Sequence, residues 1–228
     1  MYYETDKDDH GLPFSPFKSC VVPRPIGWIS TRSKDGVDNL APYSQFQNLT
    51  FDPPYVMIGI NQTVDGKRKD TTVNIEDTGE FVYNMVTYDL RDAMNRTAVQ
   101  EPPEVDEFEA AGLHKAPSKM VNVPRVEESP IQFECVYHSS LRLPGRSPVG
   151  TIDIIIGKVV AVHIKDEVIR PDGRLDMDKL RPLARMGYSD YTSVEHTFEL
   201  IIPAENKEEI MSGLSGASSI DKNSTFKK

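Results

Sequence analysis

The chain is short of cysteine, of basic charge and of long apolar runs, and each shortage argues against a class of protein. Cys20 and Cys135 are the two cysteines among 228 residues; they could pair, but two free buried thiols in a cytosolic chain are expected. A net charge of −9 argues against nucleic acid, whose phosphates attract a basic face. No stretch approaches the roughly 20 apolar residues of a membrane helix, and the acidic N-terminus lacks the apolar region of a secretory signal. We expect a cytoplasmic protein without a membrane or nucleic-acid partner.

The common catalytic and metal motifs are also missing. There is no G-x-G-x-x-G opening a helix and no P-loop. There is no G-x-S-x-G, and neither cysteine lies in a recognisable reactive context. The five histidines are scattered without an H-E-x-x-H pair, so no metal site is predicted.

Two short apolar runs near the N-terminus predict strands joined by turns. Residues 26–30 and 55–60 are rich in Ile, Val, Trp and Tyr and are bounded by Pro, Gly and Asp. Asp35-Gly36 favours a tight hairpin turn. The polar segment between the runs has few bulky side chains, so its backbone could approach a flat ligand closely.

The rest of the chain predicts a mainly β protein, a β-barrel with α decorations. The predicted strands are 80–86, 131–142, 151–165 with a bend at Gly157, and 195–202. The predicted helices are 73–79, ended by Gly79, then 87–100 with Met94 in the core, 105–111 and 178–184. The expected loops are 185–191 and the Pro-rich, acidic 101–130, a functional or interface segment whose acidic run 103–109 is a solvated face.

Three parts of the chain are expected to differ in how well ordered their structure is. Residues 1–19 form an N-terminal arm that Phe14 and Phe17 could pin to the body. Residues 20–202 form one domain, and the polar residues 203–228 form a loosely ordered tail.

One compact basic cluster, residues 66–72, contains Lys67, Arg68 and Lys69 just before a predicted helix. If Asp70 or Thr71 caps that helix, the lysines and the helix amides converge on an anion site, typically for phosphate. The residues alone favour the other interpretation, a solvated basic turn. Both interpretations stay open at this level.

A set of ordered motifs resembles the flavin-reductase-like, FMN-binding split-barrel family, in its longer, flavoredoxin-like form. The motifs are RPIGWIST at 24–31, NLAPYS at 39–44, DPP at 52–54, KDT at 69–71 with NI at 74–75, EFVYN at 80–84, VDEFE at 105–109 with AGL at 111–113, PRVEESP at 124–130 with FEC at 133–135, and LARMG at 183–187. The resemblance implies an FMN-binding split β-barrel homodimer with one FMN near each subunit interface.

The resemblance also implies which residues contact the cofactor. The flavin ring and ribityl chain would be lined, largely through main-chain groups, by Thr31, Asn39, Ala41, Pro42, Tyr43 and Ser44. The phosphate end would fall on Asn61, Lys67, Lys69 and Thr71, which favours the anion-site interpretation of the basic cluster. Trp28 either packs near the flavin or lies in the core. Because the cofactor holds the reactivity, no catalytic residue is assigned.

Two classes of function follow from the resemblance. The expected one is an NAD(P)H-dependent flavin reductase or oxidoreductase, which passes hydride between NADH or NADPH and flavin and could serve a partner monooxygenase. The alternative is a non-enzymatic FMN electron carrier reduced by a partner reductase. A third option is a flavin-dependent reaction on another small substrate, as in pyridoxamine-phosphate-oxidase-like barrels. Shorter members carry a nicotinamide-assisting histidine that residues 184–187 lack, which weakens the nicotinamide expectation more than the FMN expectation.

Overall fold

The computed structural model describes residues 1–7 and 9–200, which are mainly β-structure. The strands are β1 (Arg24–Pro25), β2 (Gly27–Arg32), β3 (Asp38–Tyr43), β4 (Phe46–Phe51), β5 (Pro54–Asn61), β6 (Glu80–Met85), β7 (Lys115–Ala116), β8 (Arg125–Val126), β9 (Ile131–Leu143), β10 (Ile152–Ile164), β11 (Leu183–Gly187) and β12 (Asp190–Ser193). The α-helices are α1 (Asp70–Thr78), α2 (Arg91–Arg96), α3 (Glu107–Ala110) and α4 (Met177–Leu180). The short 3-10 helices are Pro16–Ser19, Tyr88–Leu90, Pro148–Gly150 and Asp166–Val168.

The chain divides into two compact units, residues 1–195 and 196–228. All helices and strands named above lie in the first unit, and the described part of the second, residues 196–200, contains neither. The predicted tail 203–228 lies outside the described residues, and the domain boundaries at 20 and 202 stay predictions.

A seven-stranded antiparallel sheet dominates the first unit, in the order β3-β2-β6-β9-β10-β5-β4. A three-stranded sheet β1-β11-β12 and a two-stranded sheet β7-β8 complete the β-structure of the described residues. The predicted mainly β architecture with helical decorations is confirmed. The pairing of β10 with β9 shifts register at Gly157, which confirms the predicted bend. A Cβ there would meet the buried Phe81 ring at 2.3 Å, so any larger residue would require that ring to move.

Two apolar clusters lie on opposite faces of β2 and β3. Ile29 belongs to the first cluster, which α1 covers with Ile75. Trp28 and Leu40 belong to the second, which Met94 of α2 and Phe108 of α3 complete. Both faces of β2 are therefore buried, and removing this apolar area from water stabilises the position of β3 between α1 and α3. The prediction that Met94 is a core residue is confirmed, because its side chain is buried.

The polar segment between the first two predicted strands is itself β-structure, contrary to the sequence interpretation. It contains β3 and β4, in whose sequences apolar and polar residues do not alternate regularly. β3 contains the polar pair Asp38 and Asn39, whose side chains find partners elsewhere in the fold: Asp38 pairs with Arg32 and Lys115. β4 is an edge strand with one buried residue, Phe46, and its other apolar residues, Leu49 and Phe51, are exposed.

The C-terminal predictions were wrong in three places. Helix α4 ends at Leu180, because Arg181 has a left-handed backbone with φ of 40°. The predicted loop 185–191 is mostly a hairpin of β11 and β12, and β11 also pairs with the distant β1. The predicted strand 195–202 is absent over residues 195–200, and its last two residues lie outside the described part.

Other local predictions were right in kind and wrong in extent. The predicted helix 73–79 begins earlier, at Asp70, and Gly79 ends it with φ of 75°, as expected. The predicted helix 87–100 is a 3-10 turn followed by six residues of α-helix. The predicted helix 105–111 is α3, four residues long.

The arm and the thiols also differ from expectation. Phe14 and Phe17 are both exposed, although the Phe14 ring lies 5.7 Å from the Tyr188 ring. A hydrogen bond of 3.1 Å from Ser19 Oγ to Met186 O ties the end of the arm to β11. Both cysteines are free; Cys135 is buried as predicted, but Cys20 is exposed.

Candidate functional site

A cavity of about 430 Å³ lies beside β3, the edge strand of the large sheet. Its volume is in the range of small-molecule sites. Its walls come from β3, from the turn and first residues of α1, from the segment after α2, and from α3. The lining residues include seven of the predicted site residues: Asn39, Ala41, Pro42, Tyr43, Lys67, Lys69 and Thr71.

A chain of hydrogen bonds connects the polar side chains of this wall. Tyr43 Oη donates to Thr71 Oγ1 over 2.8 Å, and Thr71 Oγ1 donates to Asn39 Oδ1 over 2.8 Å. Burial raises the pKa of Tyr43, so its hydroxyl stays protonated and available as a donor. The wall therefore has a fixed order of donors and acceptors from Tyr43 to Asn39.

Glu107 of α3 ends this chain from the other side of Asn39. Its Oε1 accepts from Asn39 Nδ2 at 2.8 Å and its Oε2 accepts from Leu40 N at 2.9 Å. The residue is 6% exposed. Burial raises the pKa of Glu107, although these two donors act in the opposite direction.

Within the described residues, the basic cluster separates into two cations paired with carboxylates and one without a carboxylate partner. Lys67 pairs with Asp65 at 3.0 Å, and Arg68 bridges Glu76 and Asp153 at 2.8 and 3.2 Å. Lys69 has no carboxylate within ion-pair distance in the described part of the chain, and its Nζ lies 5.7 Å from the Tyr43 ring centroid. Burial lowers the pKa of Lys69. Lys69 is therefore the member of the cluster whose charge is available to an anion.

The first turn of α1 adds backbone donors next to Lys69. Lys69 is the N-cap residue, so the prediction that Asp70 or Thr71 caps the helix was wrong. The N–H groups of Thr72 and Val73 donate to Lys69 O, which leaves those of Asp70 and Thr71 without an intrahelical acceptor. The Asp70 carboxylate also lines the cavity; burial raises its pKa, which favours the protonated form more than in a solvated aspartate.

Four predicted site residues do not line the cavity. Thr31 lies behind it, where its Oγ1 accepts from Asn74 Nδ2 and donates to Asn39 Oδ1 over 3.4 Å. Ser44 accepts from Arg24 Nε at 3.5 Å. Asn61 ends β5 and donates to Val149 O. Trp28 is fully buried in the second apolar cluster, which fits the core interpretation, and its Nε1 donates to Thr97 Oγ1 at 2.8 Å.

The cavity has further lining residues. Arg68 and Asp70 belong to the basic cluster noted in the sequence, and sequence reasoning missed the others, which are Thr63, Asp65, Glu107 and residues 97–103. The prediction that the acidic run 103–109 is a solvated face was wrong for Glu107. The available signal was Asp106, an N-cap whose carboxylate accepts from Phe108 N and so begins a helical turn at Glu107.

Among the described residues, no group of three or more His, Cys, Asp or Glu side chains could hold a metal ion. No helix in that part of the chain is long and apolar enough to cross a membrane.

Comparison with known proteins gives relatives for this architecture. An uncharacterized protein of Aquifex aeolicus (strain VF5) is 40% identical over 171 residues, which cover 75% of this chain and 84% of that protein. Nitrilotriacetate monooxygenase component B from Bacillus cereus has a TM-score of 0.80 at 30% identity, covering 88% of this chain and 98% of that chain.

The split barrel itself is found in a protein from Shewanella frigidimarina NCIMB 400. That structure, described as having a split barrel domain, has a TM-score of 0.74 at 22% identity and covers 88% of this chain and 98% of that one. It confirms the predicted split-barrel fold. The flavin reductase like domain family matches residues 19–184, most of the chain. The chain thus belongs to the flavin reductase like family.

Proposed function

We propose that the cavity beside β3 binds FMN and that the protein is an NAD(P)H-dependent flavin reductase or oxidoreductase. The observation that carries the proposal is the position of Lys69, a partly buried cation without a carboxylate partner in the described residues, at the start of α1, where the Thr71 N–H has no intrahelical acceptor. A charge in that setting is stabilised by an anionic group, and phosphate is the anion that helix N-termini commonly bind.

The residues present fit the cofactor. Lys69 and the Thr71 N–H supply a phosphate end, and Lys67 and Arg68 are already neutralised by Asp65, Glu76 and Asp153. Ala41 and Pro42 supply a small, flat wall for a ring, and Asn39 supplies a polar group beside it. Lys69 and Thr71 are therefore the proposed phosphate contacts, and Asn39, Ala41, Pro42 and Tyr43 the proposed ring and ribityl contacts.

The chain's own contribution is binding and orientation. A bound flavin supplies the hydride-accepting chemistry, and the protein holds it and sets the dipoles around it. The hydrogen-bonded order from Tyr43 through Thr71 to Asn39 makes that wall rigid before a ligand arrives. We assign no catalytic side chain.

The electron donor and the partner are part of the proposal. Nitrilotriacetate monooxygenase component B is by its name one component of a monooxygenase, and this likeness supports a partner monooxygenase that uses reduced flavin. The alternative is a non-enzymatic FMN electron carrier reduced by a partner protein; the absence of histidine in residues 184–187 of β11 favours it.

We propose the cytoplasm as the location of the protein. The exposed thiol of Cys20 is free, and the reducing cytoplasm keeps such thiols reduced.

A homodimer with FMN near the interface is also proposed. The edge strand β4 exposes Leu49 and Phe51, and the β9–β10 end exposes Leu141 and Leu143. Exposed apolar side chains on an edge strand favour association with a second chain, and two-fold dimers are the commonest assembly. Light scattering is expected to give a dimer; a monomer with full FMN occupancy would contradict the interface site.

The function is tested by absorption spectroscopy of the purified protein, reconstituted with FMN and then titrated anaerobically with NADH and with NADPH. Rapid bleaching of the flavin band by either nucleotide supports the reductase and identifies its donor. A yellow protein that ignores both nucleotides supports the electron carrier. A protein that stays colourless with added FMN overturns the proposal.

A further inference from the structure

Glu107 and Asn39 form a contact that fixes the orientation of an amide in the cavity wall. The Asn39 amide lies between a carboxylate on one side and two hydroxyls on the other. Glu107 Oε1 is 2.8 Å from Nδ2, and the hydroxyls of Thr71 and Thr31 are 2.8 and 3.4 Å from Oδ1. Turning the amide over would place its oxygen against the carboxylate, where no donor would remain between them. Glu107 therefore selects one of the two amide orientations.

The hydroxyls alone would not make this selection. Thr71 and Thr31 can each donate or accept, because a hydroxyl carries one proton and two lone pairs. Thr71 is already an acceptor from Tyr43, and Thr31 is already an acceptor from Asn74. Each hydroxyl still has its proton to donate, and each lies within hydrogen-bonding distance of Asn39 Oδ1, in agreement with the orientation that Glu107 imposes.

Glu107 itself is held firmly. The next residue, Phe108, is fully buried in the second apolar cluster. The preceding residue, Asp106, caps α3 and contacts Lys115, which also pairs with Asp38 of β3 at 2.8 Å. The short helix α3 is therefore anchored on both sides of Glu107, and the carboxylate lies at a fixed place against β3.

We propose that Glu107 is a positioning residue that turns the Asn39 amide so that its remaining N–H group, and not its carbonyl oxygen, is offered to the ligand. Oδ1 of Asn39 is occupied by two hydroxyls, and Nδ2 has used one of its two protons on Glu107. The site would then select a ligand with a hydrogen-bond acceptor at this point of the wall. In naming a flavin as that ligand, the inference rests on the proposed function.

The variant Glu107→Gln tests this orientation with little change in size. Its amide oxygen can still accept from Leu40 N, but its amide nitrogen then faces Asn39 Nδ2, donor against donor. Asn39 has to turn over, which offers its oxygen to the cavity and opposes the two hydroxyl donors. We expect flavin affinity to fall about tenfold, equally for FMN and for riboflavin, since the phosphate end is untouched. The thermal midpoint of the ligand-free protein is expected to fall as well.

The double variant Asn39→Asp with Glu107→Gln separates the two parts of the inference. The carboxylate introduced at position 39 can accept from the amide introduced at position 107 and from both hydroxyls. Every hydrogen bond of the wall is then restored: those from Leu40 N, Thr71 and Thr31 keep their direction, and the bond between positions 39 and 107 is reversed. We expect the thermal midpoint to return close to the wild-type value. Flavin affinity is expected to stay low, because a carboxylate offers no N–H to the ligand. Glu109→Gln, an exposed position on the same helix, is the matched control and should change neither quantity.

The outcomes are distinguishable by fluorescence titration with FMN and riboflavin and by thermal unfolding of the ligand-free variants. A midpoint that the double variant does not restore overturns the orientation assigned to Asn39. An affinity restored together with the midpoint overturns the donor role, since Glu107 would then act through packing alone. If the wild type binds neither flavin, the proposed function fails, and the midpoints of the single and double variants still decide whether Glu107 orients Asn39.

Discussion

Glu107 in the candidate site and Glu134 in the scaffold are both buried carboxylates, and their surroundings differ in the number of donors. Glu134 of β9 is fully buried and accepts from the backbone N–H groups of Lys119, Met120 and Val121 at 2.8, 2.5 and 3.1 Å. His163 contacts it as a fourth partner. Glu107 has two donors, one of which is a side chain that also lines the cavity.

The difference in donors decides the direction in which each pKa moves. Burial alone acts to raise the pKa of both groups. For Glu134 the backbone amides and His163 outweigh burial, and its pKa lies below the usual range. For Glu107 burial outweighs two donors, and its pKa is raised.

The same contrast holds for the cations. Arg68 bridges Glu76 and Asp153, and these hydrogen bonds raise the pKa of Arg68 despite the opposing effect of burial. Lys69, one residue later, has no carboxylate partner in the described residues, and burial lowers its pKa. Glu134 and Arg68 each have a set of oppositely charged or hydrogen-bonding partners. In the candidate site, by contrast, the Asn39 amide and the Lys69 charge are left for a ligand.

The largest expected effect is on stability, at Glu134. Replacing Glu134 by Gln leaves amides of residues 119–121 facing an NH₂ group, so the free energy of unfolding should fall by about 2–3 kcal/mol at pH 7. Urea unfolding measures it. Glu127→Gln, an exposed position nearby, should change the value by less than about 0.5 kcal/mol. Equal losses in the two variants would show that the amides do not depend on the carboxylate.

A smaller effect is expected on binding, at Lys69. Replacing Lys69 by Met should weaken FMN binding about 10- to 100-fold and leave riboflavin binding almost unchanged, because a charge-assisted hydrogen bond to phosphate is lost. Lys67→Met is the control: its charge is paired with Asp65, so FMN affinity should change less than about threefold. Fluorescence titration with both flavins measures these values. Similar losses in both variants would contradict the distinction between paired and unpaired charge.

The smallest effect is a pH dependence of opposite sign for the two glutamates. Glu134, with a lowered pKa, stabilises the fold above its ordinary pKa of about 4, and this contribution is lost as pH falls through the folded-state value. Glu107, with a raised pKa, contributes at low pH and loses that contribution as pH rises above about 4. The stability difference between wild type and Glu134→Gln should therefore shrink toward low pH, and that for Glu107→Gln should change the other way. Urea unfolding at several pH values measures both slopes, and slopes of equal sign would refute the contrast.

Local patterns were sufficient for the elements with a clear period or a clear end. The apolar runs before Arg32 and before Asn61 predicted β2 and β5, and Gly79 and Gly157 marked a helix end and a strand bend correctly. These features depend on neighbours a few residues apart, which the sequence shows directly. The β3 and α1 parts of the cavity wall were predicted instead from the family resemblance, through the motifs at 39–44 and 69–71.

The elements that were missed lack a clear pattern of their own. β4 pairs with its neighbour β5 but has one buried residue, and β11 pairs both with its neighbour β12 and with β1, some 160 residues away. In the sequence, Glu107 belongs to an acidic run that predicts an exposed surface. In the fold, the packing of Phe108 with Trp28 and Leu40 brings Glu107 to Asn39, 68 positions earlier. Burial and pairing at that range are properties of the folded chain, not of a local pattern.

The sequence by itself determined a mainly β protein of the flavin reductase like family, with its cavity-lining residues concentrated near Asn39 to Tyr43 and Lys67 to Thr71. The tertiary structure alone decided which of three adjacent cations has no carboxylate partner among residues 1–7 and 9–200, and which acidic residue is buried. The physical reason is that charge and burial are set by the neighbours that the fold supplies. Lys69 and Glu107 carry the same formal charges in the sequence as Lys67 and Glu109, and only the fold sets them apart.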